Sequence, residues 1–296
     1  MTTRGKRELN SLLVFSVFIL PALGAVLLSV EVPFIMSIVY SFTKWNGLDR
    51  VPQFIGLENY KELFFDDPAM MGALAFTFKQ AMFRVIFTNI IALLLAVFLD
   101  GEMRGKNALR AAFYIPNIIS LIVIGYIWRF ILSRGFDSFY QSVKLPFLMY
   151  SWLGDAKLAF VSVLVVSIWQ SIGFYMVIYI AGLQVIPRDV VEAAMIDGAG
   201  EVSRFFRITI PLIMPSITVA VFHSVANSLK AFDVIFSLTN GGPGNSTTTI
   251  ALDIYKTAFI ISRFGYGTAK SVILFLLILL ITFFQVKFFK RREVEA

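Results

Sequence analysis

Six apolar runs dominate this sequence, and each is long enough to cross a membrane as a helix. The hydrocarbon core of a bilayer requires about 20 helical residues at a rise of about 1.5 Å per residue. We place the spans near residues 12–40, 76–99, 111–132, 157–186, 213–236 and 270–289. The sequence therefore predicts an all-α, polytopic membrane protein with six transmembrane helices and a single transmembrane domain over residues 1–296.

Composition supports a lipid bilayer as the environment. Hydrophobic residues make up 58% of the chain and charged residues 15%, whereas about a quarter of a soluble domain is charged. The net charge is +7, but the basic residues lie at the ends of apolar runs, a membrane pattern that argues against nucleic acid as a partner. The chain has no cysteine and a single histidine, His223, which excludes a thiolate site and a multi-histidine metal centre. We therefore expect no metal in this chain.

Basic residues at both termini predict the orientation. An even number of spans places both termini on one side, and the positive-inside rule makes that side cytoplasmic. The loop at 187–211 is then cytoplasmic, and the loops near 41–75, 133–156 and 237–269 face outward. The terminal basic residues are Arg4, Lys6, Arg7, Lys287, Lys290, Arg291 and Arg292.

Polar side chains interrupt the predicted fifth span. His223, Asn227 and Lys230 follow the i, i+4, i+7 spacing of one helix face. A charge at mid-bilayer costs at least about 2.5 kcal/mol, so this face should point into a bundle or a water-filled path. Aromatic rings stack on the apolar faces of sugars, and amides bond sugar hydroxyl groups, so residues of these types suit a sugar path. The predicted substrate path comprises Asn117, Gln170, Ser171, Phe174, Tyr175, Ser224, Asn227, Ser228 and Lys230.

Two structural alternatives stay open for these residues. Serine and asparagine in membrane helices often serve only as interhelical contacts worth about 0.6 kcal/mol. Lys230 and Asp233, at i and i+3, are spaced to neutralise each other.

Charge within the spans is unevenly distributed. Five basic residues, Lys79, Arg84, Arg129, His223 and Lys230, stand against Asp233 and Glu31. A positive path would attract an acidic ligand. Alternatively, the long basic side chains extend to the membrane interface, which would say nothing about the ligand.

The loop at 187–211 combines charge with glycine. Pro187 ends the preceding helix, and Asp189 with Glu192 has the spacing of a capping box. Gly198 and Gly200 end the short helix that follows, and a second one over 201–208 leads to Pro211. From composition and spacing alone, this segment fits a groove of another protein or the membrane surface equally well.

This loop resembles the EAA loop of bacterial ATP-binding-cassette (ABC) importer permeases. The resemblance rests on Glu192-Ala-Ala-Met-Ile-Asp-Gly-Ala-Gly200 with Phe206 and Pro211. Further segments resemble the carbohydrate-uptake permeases of the maltose type, specifically the first of the two paired subunits, namely Ser41–Trp45, Phe54–Tyr60, Leu183–Pro187 and Leu238–Thr249. The large extra periplasmic domain of the maltose permease is absent.

The resemblance implies the type I ABC importer permease fold in a bacterial cytoplasmic (inner) membrane. It also implies four partners, which are a second homologous permease subunit, two ATPase subunits and an extracytoplasmic solute-binding protein. ATP and Mg would be bound by the ATPases, since this chain has no phosphate-binding loop of the G-x-x-x-x-G-K-[ST] type. The residues implied to couple to the ATPase are Glu192, Ala193, Ala194, Asp197, Gly198, Ala199, Gly200, Phe206 and Pro211.

Two other function classes use similar residues. A secondary transporter driven by an ion gradient would use the polar residues within the spans for coupling, but the sequence has no visible inverted repeat. A membrane-embedded enzyme acting on lipid-linked sugar would need a convergent acid, base or metal cluster. The scattered carboxylates do not suggest one.

Overall fold

The computed structural model describes residues 3–101 and 103–290, with side chains from Val14 onward. Some of the basic groups that predict the orientation fall outside this description. They are the side chains of Arg4, Lys6 and Arg7 and the residues Arg291 and Arg292.

The described chain is almost entirely helical. Two short strands, β1 (Thr43–Lys44) and β2 (Gln53–Phe54), pair antiparallel. The helices are α1 (Thr3–Val26), α2 (Val32–Tyr40), α3 (Glu58–Phe65), α4 (Pro68–Asp100), α5 (Lys106–Ile118), α6 (Leu121–Phe130), α7 (Phe136–Val143), α8 (Ala156–Gln184), α9 (Arg188–Ile196), α10 (Glu201–Arg204), α11 (Ile210–Leu212), α12 (Met214–Leu229), α13 (Asp233–Leu238), α14 (Ile250–Tyr255) and α15 (Phe264–Lys290). Short π- or 3-10-helical turns lie at Leu27–Glu31, Ile131–Gly135, Pro146–Met149, Phe205–Thr209 and Lys256–Ile260.

Four helical stretches of the described chain are long and apolar enough to cross a membrane. They are Val14–Tyr40, Pro68–Asp100, Ala156–Gln184 and Phe264–Lys290. Two bent pairs, Lys106–Ile118 with Leu121–Val143 and Glu201–Leu212 with Met214–Leu229, bring the number to six if each pair is one span.

The predicted third span is not one straight helix. The span predicted over 111–132 contains a sharp bend, because α5 and the helical stretch that begins with α6 meet at an angle of 95°. The bend lies at Ile119 and Ser120, whose ψ angles of 139° and 131° are extended. Pro116, by contrast, lies inside α5.

The predicted fifth span, 213–236, also contains a break. Helix α12 ends at Leu229, and α13 begins only at Asp233. The backbone freed between them is bonded from a distant segment, since the Thr249 hydroxyl donates to the Ala231 carbonyl at 2.8 Å. The break therefore depends on a contact 18 residues away in sequence.

The segment 237–269, predicted as an outer loop, is largely packed. Thr247 and Thr249 are 0% exposed. The backbone N–H of Ile250 donates to the Thr77 hydroxyl of α4 at 2.9 Å. Hydroxyl groups thus satisfy buried backbone atoms, so this segment does not need to face water.

Aspartate caps set the starts of α4 and α8. The Asp67 carboxylate accepts from the Met70 N–H at 2.8 Å, with Pro68 at the first helical position. The Asp155 carboxylate accepts from the N–H groups of Lys157 and Leu158 at 2.9 and 3.0 Å. Such caps satisfy N–H groups that have no partner within the helix.

Contacts divide the chain into two compact units. One contains the described residues up to Asp66 together with Ile254–Ile273, and the other contains Asp67–Asp253 and the described residues from Leu274. In the first unit, the Asn59 side chain donates to the carbonyls of Ser41 and Thr43 at 2.8 and 2.9 Å. These bonds fix α3 against the end of α2 and strand β1.

In the second unit, α4 packs along α8, and α12 packs against both. The core between them includes Ala92, Ala96, Met176, Tyr179 and Ala220, all at most 1% exposed. Small side chains on membrane helices let the backbones approach closely, which increases dispersion contact where the hydrophobic effect is weak. The packing holds in place the helix faces that carry the polar residues.

Candidate functional site

A cavity of about 300 Å³ lies in the second unit, among α4, α5, α8, α12, the starts of α6 and α13 and the break before α13. Its wall is formed by Arg84, Asn117, Leu121, Ser167, Gln170, Ser171, Phe174, Tyr175, His223, Asn227, Lys230, Ala231, Phe232, Asp233, Val234 and Ile235.

Most residues of the predicted substrate path meet at this cavity. Those that line it are Asn117, Gln170, Ser171, Phe174, Tyr175, Asn227 and Lys230. Ser224 and Ser228 do not line it, because they lie on the packed face of α12, where they are 3% and 1% exposed. Their placement there fits interhelical contact rather than a path.

The imidazole ring of His223 lies in the cavity wall and contacts three other lining residues. The Phe174 ring lies 4.8 Å from it, centroid to centroid, with an interplanar angle of 35°. The Tyr175 hydroxyl lies 3.2 Å from Nδ1, and the Asn227 amide nitrogen lies 3.1 Å from Nε2. On another wall, the Gln170 amide donates to the Asn117 side-chain carbonyl at 3.4 Å. The cavity thus combines aromatic faces with amide donors and acceptors.

The structure adds Arg84, Ser167, His223 and Asp233 to the residues predicted for this site. Of these, Arg84 could have been found from spacing on α4. Thr77, Gln80 and Thr88, all at most 1% exposed, share its helix face, since residues three, four and seven apart are neighbours on a helix.

The structure does not support the alternative in which Lys230 and Asp233 neutralise each other as an i, i+3 pair. Helix α12 ends one residue before Lys230, so helical spacing does not apply to the two side chains. Among the described residues, neither side chain forms an ion pair within 4.0 Å. Both charges instead line the cavity.

A layer of hydrogen bonds lies next to the cavity, one to two helical turns beyond Arg84 along α4. The Tyr179 hydroxyl donates to the Asn89 side-chain carbonyl at 2.5 Å. The Asn89 amide donates to the Ser224 hydroxyl at 2.9 Å. One side chain thereby joins α4, α8 and α12.

We expect Asn89→Ala to lower the free energy of unfolding by about 1 to 2 kcal/mol, because it leaves two buried hydroxyl groups without this partner. Thermal unfolding of the purified protein in nanodiscs measures the effect. A matched control is Thr282→Val, since the Thr282 hydroxyl, within the described part of the chain, bonds only carbonyls of its own helix, at 2.7 and 3.1 Å. A double-mutant cycle with Tyr179→Phe should give a non-additive result. Strictly additive losses would show that Asn89 and Tyr179 are not coupled.

The loop between α8 and α12 contains two helical segments separated by glycine, as predicted. Helix α9 ends in a Schellman motif, in which Ala199 N–H donates to Ala194 O at 3.0 Å and Gly198 N–H donates to Met195 O at 3.1 Å. Gly198 has a φ of 77°, in the left-handed region that this motif requires of its closing residue. The backbone therefore needs glycine at this position.

Two local predictions for the loop are wrong. Helix α9 begins at Arg188, directly after Pro187, and no side chain caps it, so Asp189 and Glu192 do not form a capping box. The second helix, predicted over 201–208, extends through Glu201–Leu212. Pro211 is accommodated near the start of α11 rather than ending a helix.

The loop presents apolar side chains to its surroundings. Ile196 is 86% exposed, Val202 73% and Phe206 65%, whereas Ala194 is 7% exposed and packs inward. Of the other residues predicted to couple, Glu192, Ala193, Asp197, Gly198 and Gly200 are exposed, and Ala199 and Pro211 are half-buried. Glu192 also lines a cavity of about 640 Å³. Exposed apolar groups beside charged ones are typical of a protein-binding surface.

Within the described residues, no group of three or more histidine, cysteine, aspartate or glutamate side chains could hold a metal ion. The polar cavity and the exposed loop are therefore the two candidate sites.

A family model described as the inner membrane component of binding-protein-dependent transport systems matches residues 88–294. The chain belongs to this family. The matched part contains α8, α9 and α12, and hence the loop and most of the cavity. The protein is therefore a multi-pass inner-membrane permease that works with a binding protein.

Named relatives cover nearly the whole permease. The probable starch degradation products transport system permease protein AmyD of Thermoanaerobacterium thermosulfurigenes is 41% identical over 94% of each chain. The multiple sugar-binding transport system permease protein MsmF of Streptococcus mutans is 34% identical, over 88% of this chain and 90% of its own.

Solved structures establish the fold of the permease. A bacterial ABC transporter involved in the import of the acidic polysaccharide alginate contains a chain that superposes with a TM-score of 0.83. The match covers 97% of the permease and 99% of that chain at 20% identity. The prediction of an ABC importer permease fold is confirmed.

Proposed function

We propose that this permease forms part of the transmembrane path of an ATP-driven importer of oligosaccharides. The observation that carries the proposal is the cavity, which three amide side chains, Asn117, Gln170 and Asn227, line together with the rings of Phe174 and Tyr175. Amides donate to and accept from sugar hydroxyl groups. Aromatic rings cover the apolar faces of the sugar. The names of the relatives, which refer to starch degradation products and to multiple sugars, support this class of substrate.

A second homologous permease subunit completes the path and faces the cavity. Two ATPase subunits bind on the cytoplasmic side, which also holds both termini and the loop at 187–211. An extracytoplasmic binding protein delivers the sugar from the opposite side. ATP and Mg are bound by the ATPases.

Helix α9 transmits the movement of the ATPases. Its exposed residues, including Glu192 and Ile196, fit a cleft on one ATPase subunit, with Asp197 as a second charged contact. Closure of the ATPase dimer on ATP then rotates the helices connected to α9 as rigid bodies, switching the path from inward-facing to outward-facing. The helices of the second unit suit this movement, since the Asn89 hydrogen bonds join three of them.

Co-purification tests the assembly. The chain is expressed with its genomic neighbours, and a tag on this chain alone is used to isolate the complex. We expect a second permease and two copies of an ATPase to be retained, and ATP hydrolysis to be stimulated by the sugar-loaded binding protein. Isolation without any ATPase, together with transport driven by an ion gradient, would favour the secondary transporter instead.

A further inference from the structure

Arg84 occupies the middle of the longest helix. It lies 16 residues from Pro68 and 16 residues from Asp100, the two ends of α4. The apolar run of α4 begins near residue 76, so at about 1.5 Å per residue about 12 Å of helix separates Arg84 from the nearer end of that run. That distance is longer than its side chain, and the side chain instead lines the cavity. Extension to the interface, the alternative for basic residues in the spans, therefore does not apply to Arg84.

Two other basic residues of the spans, Lys79 and Arg129, differ from Arg84 in their exposure and in their position outside the cavity. Lys79 is exposed, and its ammonium group lies 4.3 Å from the centre of the Phe160 ring. Arg129 is exposed in the last turn of α6. Neither lines the cavity, whereas Arg84 and Lys230 do.

The charged side chains that line the cavity form no ion pairs with one another or with other described residues. Neither Arg84 nor Lys230 forms an ion pair within 4.0 Å in the described chain, and Asp233 forms none either. One carboxylate balances at most one of the two cations. Arg84 is half-buried and Lys230 is exposed. A cation within a membrane span is unfavourable without a counter-ion, so the arrangement favours the binding of an anion from outside the described residues.

We propose that Arg84 and Lys230 bind a carboxylate carried by the transported sugar, so that the preferred substrate is a uronic oligosaccharide. This inference rests on the proposed function, because it assigns a substrate class to the same cavity. The planar guanidinium of Arg84 donates two parallel N–H bonds to a carboxylate, and the Lys230 ammonium acts as a point charge beside it. Asp233 and the amides accept from the hydroxyl groups of the same sugar. A neutral sugar would leave one cation of the cavity uncompensated.

Matched trisaccharides test the proposal. Maltotriose and the α-1,4-linked glucuronate trimer differ only in the oxidation of C6, as do cellotriose and the β-1,4-linked glucuronate trimer. The complete complex is placed in nanodiscs, direct binding of each trimer is measured, and stimulation of ATP hydrolysis is measured with the binding protein added. The variants are Arg84→Gln, Arg84→Lys and Lys230→Gln. The control is Lys79→Gln, which removes a cation from the same helix outside the cavity.

We expect a carboxylated trimer to bind more tightly than its neutral counterpart. Arg84→Gln should weaken that binding about tenfold or more, and should weaken the binding of neutral trimers less. Arg84→Lys should retain part of the preference, Lys230→Gln should lose part of it, and Lys79→Gln should not change it. Arg84→Lys and Lys230→Gln keep the test decisive if the Arg84→Gln complex does not assemble.

Tighter binding of neutral trimers would overturn the proposal, as would equal losses for both kinds of trimer in the cavity variants. Stimulation by neutral trimers alone would leave the proposed importer function standing and contradict only the acidic substrate. If no saccharide of either kind acts on the wild-type complex, the oligosaccharide function itself fails, and this inference fails with it.

Discussion

Gly198→Val is expected to abolish ATP-driven uptake while leaving the membrane helices folded. Gly198 has a φ of 77°, and nothing lies within 4 Å of the position that a Cβ atom would occupy. The effect therefore comes from the backbone, because a side chain in the left-handed region costs about 1 to 2 kcal/mol and a β-branched one is a clear outlier there. Relief of this strain would unwind the Schellman motif and reorient the exposed end of α9.

We expect saccharide-stimulated ATP hydrolysis in the Gly198→Val complex to fall about tenfold or more, since coupling between sites of this kind amounts to about 1 to 3 kcal/mol. The assay is hydrolysis and uptake by the reconstituted complex, with binding-protein delivery unchanged. Gly198→Asn should restore part of the activity, because asparagine tolerates the left-handed region.

A matched control distinguishes a loss of coupling to the ATPase from a general effect of backbone strain. Gly105 has a φ of 85° and equally open surroundings, but it precedes α5 rather than closing α9. Gly105→Val should therefore impose the same local strain and leave coupling largely intact. Normal coupling in both Gly198→Val and Glu192→Lys would contradict the role assigned to this loop.

Gly173→Leu is expected to destabilise the permease by about 3 kcal/mol or more. A Cβ atom at this position of α8 would overlap the backbone carbonyl of Phe113 and the Cα atom of Tyr114. Backbone atoms cannot rotate away as a side chain would, so α5 and α8 would have to separate. Since Gly173 lies between the cavity residues Ser171 and Phe174, the wall of the cavity would move as well.

Thermal unfolding and the yield of assembled complex measure this effect. The control is Gly72→Leu on α4, where nothing lies within 4 Å of the Cβ position. That change should be neutral or stabilise the helix by up to about 1 kcal/mol, because glycine is a poor helix former. Equal unfolding temperatures for the two variants would show that the contact between α5 and α8 is not tight.

The long helices could be predicted because their signal is local. The span predicted at 157–186 is observed at Ala156–Gln184. The span predicted at 76–99 begins earlier, at Pro68, because the Asp67 cap starts the helix before the continuous apolar run. Apolar length predicts the membrane part of a helix, whereas capping predicts its true start.

The breaks in the third and fifth spans could not be predicted in the same way. Neither Ile119–Ser120 nor Lys230–Phe232 contains glycine or proline. The break after Leu229 is stabilised by the Thr249 hydroxyl, which the fold brings to the Ala231 carbonyl. Such a contact is visible only once the tertiary structure is known.

The candidate site was predictable where one helix carries several polar residues. Gln170, Ser171 and Tyr175 on α8 reach the cavity together. The polarity of Ser224 predicts a place in the path, but the residue lies on the face of α12 that bonds Asn89. The sequence alone does not distinguish Arg84 from the other basic residues of the spans, since its depth depends on where α4 begins and ends.

Uptake by proteoliposomes tests the central claim most directly. The complex is reconstituted with ATP and Mg inside and the binding protein outside, and uptake of radiolabelled trisaccharides is followed with and without ionophores. The account predicts uptake that requires both ATP and the ATPase subunits and continues when all ion gradients are dissipated. Uptake by this permease without ATPase subunits, driven by an imposed ion gradient, would contradict it.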